Sequence, residues 1–401
     1  MTVFHELSRA KGPWGQTSKA KSASREISGN AVRVGLALPP PSGDGKPSPY
    51  KRRKEGNHFQ TIILPATKLF SRVKLPYMTG KQRFEEQLAE LEELRRQPRE
   101  TAVKPLRKAL AQRSNYLVAK AADLVRDLRL GELIPELVSA FDRFFLNPLK
   151  TDPQCWAKNA ISKALAALEY QEADLYLRGV RHIQLEPVWG GQSDTAATLR
   201  ATCALALVPC RSLSETELSR HLLELFADKE KSVRAEAARA VESAGSPSAA
   251  LLLRLRAVLG GDEPEVLGAC YNGILRIEGS AAVPWVSRFL AAADDAAAEA
   301  ALAIAADRSP EAFAALRDRF LEEPDPWFQG VLLSAIALTR QEAATGFLLE
   351  LVGKQSPHAE AAIDALLRSM PSPDIVKQLE PLIAGNPRLA RAMAARRAAS
   401  S

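Results

Sequence analysis

Side chains able to do chemistry gather most densely in one stretch, Arg178–Asp194, which reads RGVRHIQLEPVWGGQSD. It brings Arg181, His182, Gln184, Glu186, Trp189 and Asp194 together in one short segment, and these six are the candidate binding residues. His182 and Glu186 stand at i, i+4, so a helix there would place them on one face as an acid/base pair. Pro187 argues against a continuous helix. A Trp in a loop offers a large contact surface of the kind that anchors interfaces. The adjoining Gly190-Gly191 permits a tight turn or the close approach of a ligand. The competing reading is purely architectural. In it Trp189 folds back over a neighbouring hydrophobic edge, Pro187 directs the chain, and Asp194 caps a helix beginning at Thr195.

Other chemistry finds little support. The five histidines are His5, His58, His182, His221 and His358, and no two have metal-ligand spacing. The four cysteines, Cys155, Cys203, Cys210 and Cys270, contain no CxxC pair and read as free thiols in a reducing compartment. No nucleophile elbow, phosphate-binding loop, dinucleotide fingerprint or kinase signature occurs. The expectation is therefore no catalytic residue, no metal and no cofactor. No apolar run reaches the ~18–20 residues that span a bilayer. A cytoplasmic protein without membrane insertion follows as the expectation.

The elements that must position this stretch are helices. From Phe84 onward the apolar period is helical, with Phe84, Leu88, Leu91 and Leu94 forming one stripe that ends before Pro98. A self-similar pattern then runs down the chain. Taking the first core residue of each inner helix as position 0, positions 0, 4 and 8 read Leu199, Cys203, Leu207; then Val233, Ala237, Val241; then Val266, Cys270, Ile274. They continue as Ala297, Ala301, Ala305; Phe328, Leu332, Ile336; and Ala359, Ile363, Leu367, at steps of 31–34 residues. Two looser copies begin at Leu117 and Trp156. Partner helices with apolar stripes lie between, and Gly245-Ser246-Pro247, Gly279, Ser309-Pro310 and Ser372-Pro373 punctuate them as helix ends and starts. The pattern predicts an all-α fold, an α-α superhelix in which eight hairpins span residues 99–371. A capping helix at 78–98 precedes them, and capping helices with a tail at 372–401 follow. The step from Trp156 to Leu199 is 43 residues, and the surplus is the 178–194 insertion. Insertions into repeats map to loops on one face, often a binding face.

The Val233-Arg234 start followed by Ala237-Ala238, with Gly279-Ser280-Ala281-Ala282-Val283-Pro284 opening an outer helix, resembles HEAT repeats. The ~31-residue period is similar to the short bacterial type first grouped with phycobilin lyases. The resemblance covers about residues 100–370. It implies the solenoid fold, while its members include scaffolds, lyases, DNA-repair enzymes and regulators. The Arg after position 0 is present as Arg200 and Arg234, and the packing reading has each tie its repeat to an acidic group of the neighbour.

Charge is divided unevenly. Residues 1–84 hold sixteen Lys/Arg and four Asp/Glu, so the remainder is net −5 although the whole chain is +7. Residues 1–77 show no periodicity, carry Gly, Ser and Pro clusters, and include Lys51-Arg52-Arg53-Lys54; they read as a disordered basic segment. Met78, just before the helical pattern, is the expected natural start, which would make residues 1–77 not native. The leading function is a non-enzymatic scaffold that holds a protein partner, with the third-repeat insertion adding specificity. The alternatives are a phycobilin-lyase-like enzyme or small-ligand module using His182, Glu186, Trp189 and Asp194, and nucleic-acid association through the basic segment alone.

Overall fold

The computed structural model describes residues 80–370 and 372–398. The expectations for residues 1–77, their disorder, their basic contacts and the start at Met78, lie outside the described residues. The helix Gly80–Leu94 leads, with Leu91 and Leu94 buried and Phe84 and Leu88 packed against them. Its amphipathic stripe is the cause: a helix with apolar residues three and four apart is held by burying that face.

The repeat ruler holds in the structure. The helices Asn115–Asp127, Trp156–Ala167, Ala197–Leu207, Lys231–Ala244, Pro264–Glu278, Asp295–Asp307, Pro326–Leu338 and Ala359–Ser369 contain the eight position-0 residues. Each packs beside the next in one inner layer. The outer helices alternate with them and pack on that layer. They include Ile134–Phe145, Ala173–Val180, Glu215–Leu225 and Ala250–Leu259. The pair Pro373–Ile383 and Pro387–Ala398 continues the same pattern. This is an α-solenoid of helical hairpins around one continuous hydrophobic core running from Leu91 to Met393. Positions 0, 4 and 8 are buried throughout, with one exception: Trp156 is 47% exposed. Alanine at many of these positions lets adjacent helices approach closely.

Local chemistry sets the boundaries. Ser309 and Ser372 each accept a backbone N–H as N-caps, followed by Pro310 and Pro373 in the first turn. Ser214 and Glu217 form a reciprocal capping box. Gly245, at φ +68°, ends Lys231–Ala244 in the left-handed conformation that glycine adopts without penalty.

Two connections depart from regularity, and both flank the same repeat. In the turn after Ile134–Phe145, Asn147, Gln154 and Cys155 all have positive φ, at 57°, 64° and 54°. Left-handed backbone costs a non-glycine residue about 1–2 kcal/mol, so neighbours must hold this turn in place. The second departure corrects the reading of 178–194 as a loop. Arg178–Val180 finish the helix Ala173–Val180, and the insertion proper is an antiparallel β-hairpin. Its strands are β1 (Leu185–Val188) and β2 (Gly191–Asp194), in the register Leu185↔Asp194 and Val188↔Gly191. Trp189 and Gly190 make the two-residue turn, and Gly190 supplies the required positive φ of 85°. Pro187 is tolerated because both strands of a two-stranded ribbon are edges.

Candidate functional site

The base of the hairpin is a buried polar network that joins three repeats. Asp152, fully buried, lies within the irregular turn and accepts the backbone N–H groups of Ala157 and Lys158 at 2.9 and 3.0 Å. It therefore satisfies the first turn of the Trp156–Ala167 helix from outside, where an anion also suits the helix dipole. Its carboxylate further accepts Asn115 Nδ2 at 3.0 Å and the Lys158 ammonium at 2.9 Å. Lys158 is itself fully buried, lies over the Phe145 ring and also donates to the Phe144 carbonyl.

The hairpin stem binds this turn through Gln184 and Glu186. Gln184 Nε2 donates to the Asp152 carbonyl at 2.8 Å and to Glu186 Oε1 at 2.7 Å. Glu186 Oε1 also accepts the Gln154 backbone N–H at 2.7 Å and the Thr195 hydroxyl at 2.8 Å. That contact pins the left-handed Gln154. Burial alone would raise the Glu186 pKa, but its hydrogen bonds from Gln184, Thr195 and Gln154 outweigh burial and hold it below the ordinary carboxylate range. Strand alternation explains the geometry: Glu186 is the one buried residue of β1, with Leu185 and Pro187 on the other face.

Asp194 closes the stem. Its Oδ1 accepts the N–H groups of Gln184 and Ala196, and Oδ2 accepts Arg200 Nη1 at 2.7 Å. The expected cap of a helix starting at Thr195 is corrected: the helix is Ala197–Leu207 with Ala196 at the N-cap, so Asp194 lies two residues before the capping position. Its pKa is also depressed, burial being overcome by those backbone N–H groups and Arg200. Arg200, 3% exposed, bridges on to Asp228 of the next repeat through a two-pronged contact at 2.7 and 3.0 Å, and donates to the His182 carbonyl. Arg234 repeats the device one unit later with Asp262 and Glu263. Both arginines thus tie neighbouring repeats together.

His182 is half-buried, its ring 4.8 Å from that of Phe145. Nε2 meets Gln184 Oε1 at 3.1 Å. Burial lowers its pKa, with the Gln184 contact pulling weakly the other way, so the imidazole is neutral near pH 7. The structure corrects the i, i+4 pairing: His182 and Glu186 do not share a helix face, and Gln184 stands between them as a bridge. Arg181 caps the end of Ala173–Val180 and is exposed. Trp189 does not fold back: it stands fully exposed at the hairpin tip. Among the described residues no group of His, Cys, Asp and Glu is arranged to hold a metal ion. Burial pushes the Cys155 thiol up to about 12, which keeps it protonated and unreactive at neutral pH.

Sequence reasoning found the hairpin residues and missed Lys158 and Asp228. A signal existed: an Asp precedes five successive inner helices as Asp194, Asp228, Asp262, Asp294 and Asp325, spaced 31–34 residues apart. Beside the same repeat, the inner layer carries a groove of about 540 Å³ lined by Tyr170, Thr198, Thr202, Leu205, Pro209 and Glu236.

No family model matches this chain, and no curated protein does. Among solved structures it is similar to human deoxyhypusine hydroxylase in complex with glycerol, at 20% identity over 67% of this chain and 93% of that one, TM-score 0.27. It is similar to the two-protein complex of a phycocyanin lyase from Nostoc sp., at 19% identity over 58% and 91%, TM-score 0.31. An engineered protein shows 17% identity over 80% and 95%, TM-score 0.30. At these scores the likenesses carry no argument about what the chain does.

Proposed function

We propose that the chain is a non-enzymatic interaction scaffold built on HEAT-like repeats, cytoplasmic in setting, which docks a protein partner through the third-repeat hairpin. The observation that carries this reading is the full exposure of Trp189 on a stem whose base is fixed by buried hydrogen bonds. An apolar ring held in water on a rigid support is a surface built to be covered. Val188, Leu185 and Ile183 beside it are 49–63% exposed, and Leu146, Leu149 and Trp156 are 47–71% exposed across the turn that the hairpin grips. Large apolar side chains left exposed this close together in the chain are what an interaction site presents. The polar groups that could do acid/base work are instead occupied with one another, Glu186 by three donors on one oxygen. Four buried free thiols suit a reducing compartment. The repeat body, net −5 beyond residue 84, lacks the cationic excess of a phosphate-tracking surface.

The test is affinity purification of the full chain and of Trp189→Ala from cells that express it, with captured proteins quantified by mass spectrometry. The proposal expects a specific set lost with Trp189→Ala while the variant stays folded. An unchanged set in a folded variant overturns it.

A further inference from the structure

The hairpin belongs to one edge of the solenoid, formed by the connections that run from outer to inner helices. In the first four repeats these connections are joined by hydrogen bonds. Asn115 reaches Asp152 and the Pro153 carbonyl at 3.0 and 2.8 Å. Gln184 reaches the Asp152 carbonyl, and Arg200 links the hairpin to Asp228. Each connection also presents one exposed cation: Arg113, Lys150, Arg181 and Lys229. None of these four takes part in an ion pair among the described residues. Four of the five carboxylates in these connections turn inward, and the fifth, Glu230, is half-buried beside Lys229. Asp152 and Glu186 are buried, and Asp194 and Asp228 are held by Arg200. The edge therefore shows positive charge and apolar surface together, on a body whose net charge is negative.

We infer that the partner segment docking at this hairpin is acidic and carries apolar side chains. The inference rests on the docking reading above and adds the chemical class of what docks. Three features select that occupant. Among the described residues the four cations form no ion pair, so a carboxylate-bearing partner supplies the counter-charge. The exposed Leu146, Leu149, Ile183, Leu185, Val188 and Trp189 demand apolar cover, which a nucleic-acid backbone of phosphates and sugars does not provide. A second copy pairing through the same edge would set cations against cations, because a two-fold contact brings identical patches together.

The probe is a library of phage-displayed random dodecapeptides selected on the immobilised full chain, with Trp189→Ala as the counter-selection. Enriched peptides are expected to combine Asp or Glu with Leu, Phe or Trp. A synthetic copy should bind about tenfold more weakly to Lys150→Glu/Arg181→Glu and to Trp189→Ala, and should weaken as salt rises. All three substituted side chains are exposed, so circular dichroism should show folded proteins. Neutral or basic enriched peptides, or binding that ignores the double charge reversal, overturn the acidic class and leave docking at Trp189 standing. Binding of a duplex oligonucleotide or of phosphatidylserine vesicles that is lost in the same variants, with no peptide enriched, overturns it as well. So does self-association by sedimentation that disappears in Trp189→Ala.

Discussion

Between the helices Lys231–Ala244 and Pro264–Glu278 the repeat ruler places Val233, Ala237, Val241, Val266, Cys270 and Ile274, every one fully buried and apolar. Two repeats earlier, around the helices Trp156–Ala167 and Ala197–Leu207, the buried set also includes Asp152, Lys158, Gln184, Glu186 and Arg200. Both regions must join one hairpin to the next. The first does so mainly with area removed from water, which tolerates small changes of angle and demands matching volume, and adds a single polar tie, Arg234 to Asp262 and Glu263. The second does so with directional bonds whose donors and acceptors must all be met. Such a network contributes little net stability compared with an apolar interface of the same size. What it supplies is a fixed position for an insertion that has no hydrophobic core of its own. A two-stranded ribbon is marginal in water, and this one is held at its base by Gln184, Glu186, Asp194 and Thr195. The difference teaches that the regular region is a spacer and the irregular one a mount.

The sharpest way to break that contrast is to put a charge into the regular interface. Val233→Asp should cost about 4 kcal/mol or more, because the fully buried site offers the carboxylate no partner. Urea denaturation should show lost cooperativity in the middle repeats, and an unchanged melt would contradict the register.

Next in size is Asp152→Ala, expected at about 3 kcal/mol in the same assay, since it strands a buried ammonium and two helix N–H groups. Lys158→Met should cost clearly less, because Asp152 keeps its backbone donors. Equal costs would mean that the salt bridge, and not the turn, is what Asp152 secures.

Acid should act on the mount before the spacer. An unfolded His binds a proton near pH ~6.5, whereas burial holds folded His182 below that value. Between the two pKa values the unfolded state binds more protons, so the His182 contribution is complete above about pH 6.5 and lost as pH falls. Glu186 and Asp194 are depressed carboxylates, so theirs is present above about pH 4 and lost on further acidification through the folded values. Hydrogen exchange at the Gln184 and Ala196 amides should therefore quicken from about pH 7 to pH 5 after correction for intrinsic rates, and His182→Asn should flatten that change. The Val241 amide should show no such step.

How much of this was legible follows from the distance over which each feature is encoded. Val233, Ala237 and Val241 declare a helix face by local spacing, and repetition turns that face into a solenoid. The Arg200 and Arg234 contacts were legible as neighbour ties because the residues recur in register. The hairpin was not, because LEPVWGGQSD has no clean alternation and contains a proline and a glycine pair. Lys158 was missed because a lysine in an alanine-rich helix reads as a solvated face. What pairs with it is Asp152 within a strained turn, in turn held by Gln184, 32 residues away. Trp189 was legible as a residue of interest, while its direction depended on the hairpin turn.

The smallest expected effect on stability belongs to the residue with the largest expected effect on function. Trp189→Ala should shift the urea midpoint by no more than about 0.5 kcal/mol equivalent, because the ring packs on nothing in the described chain. The most direct measurement is the amount of partner protein captured per mole of folded Trp189→Ala, read beside that midpoint. An unchanged midpoint with a lost partner set is expected; a lowered midpoint with full capture would contradict docking at Trp189.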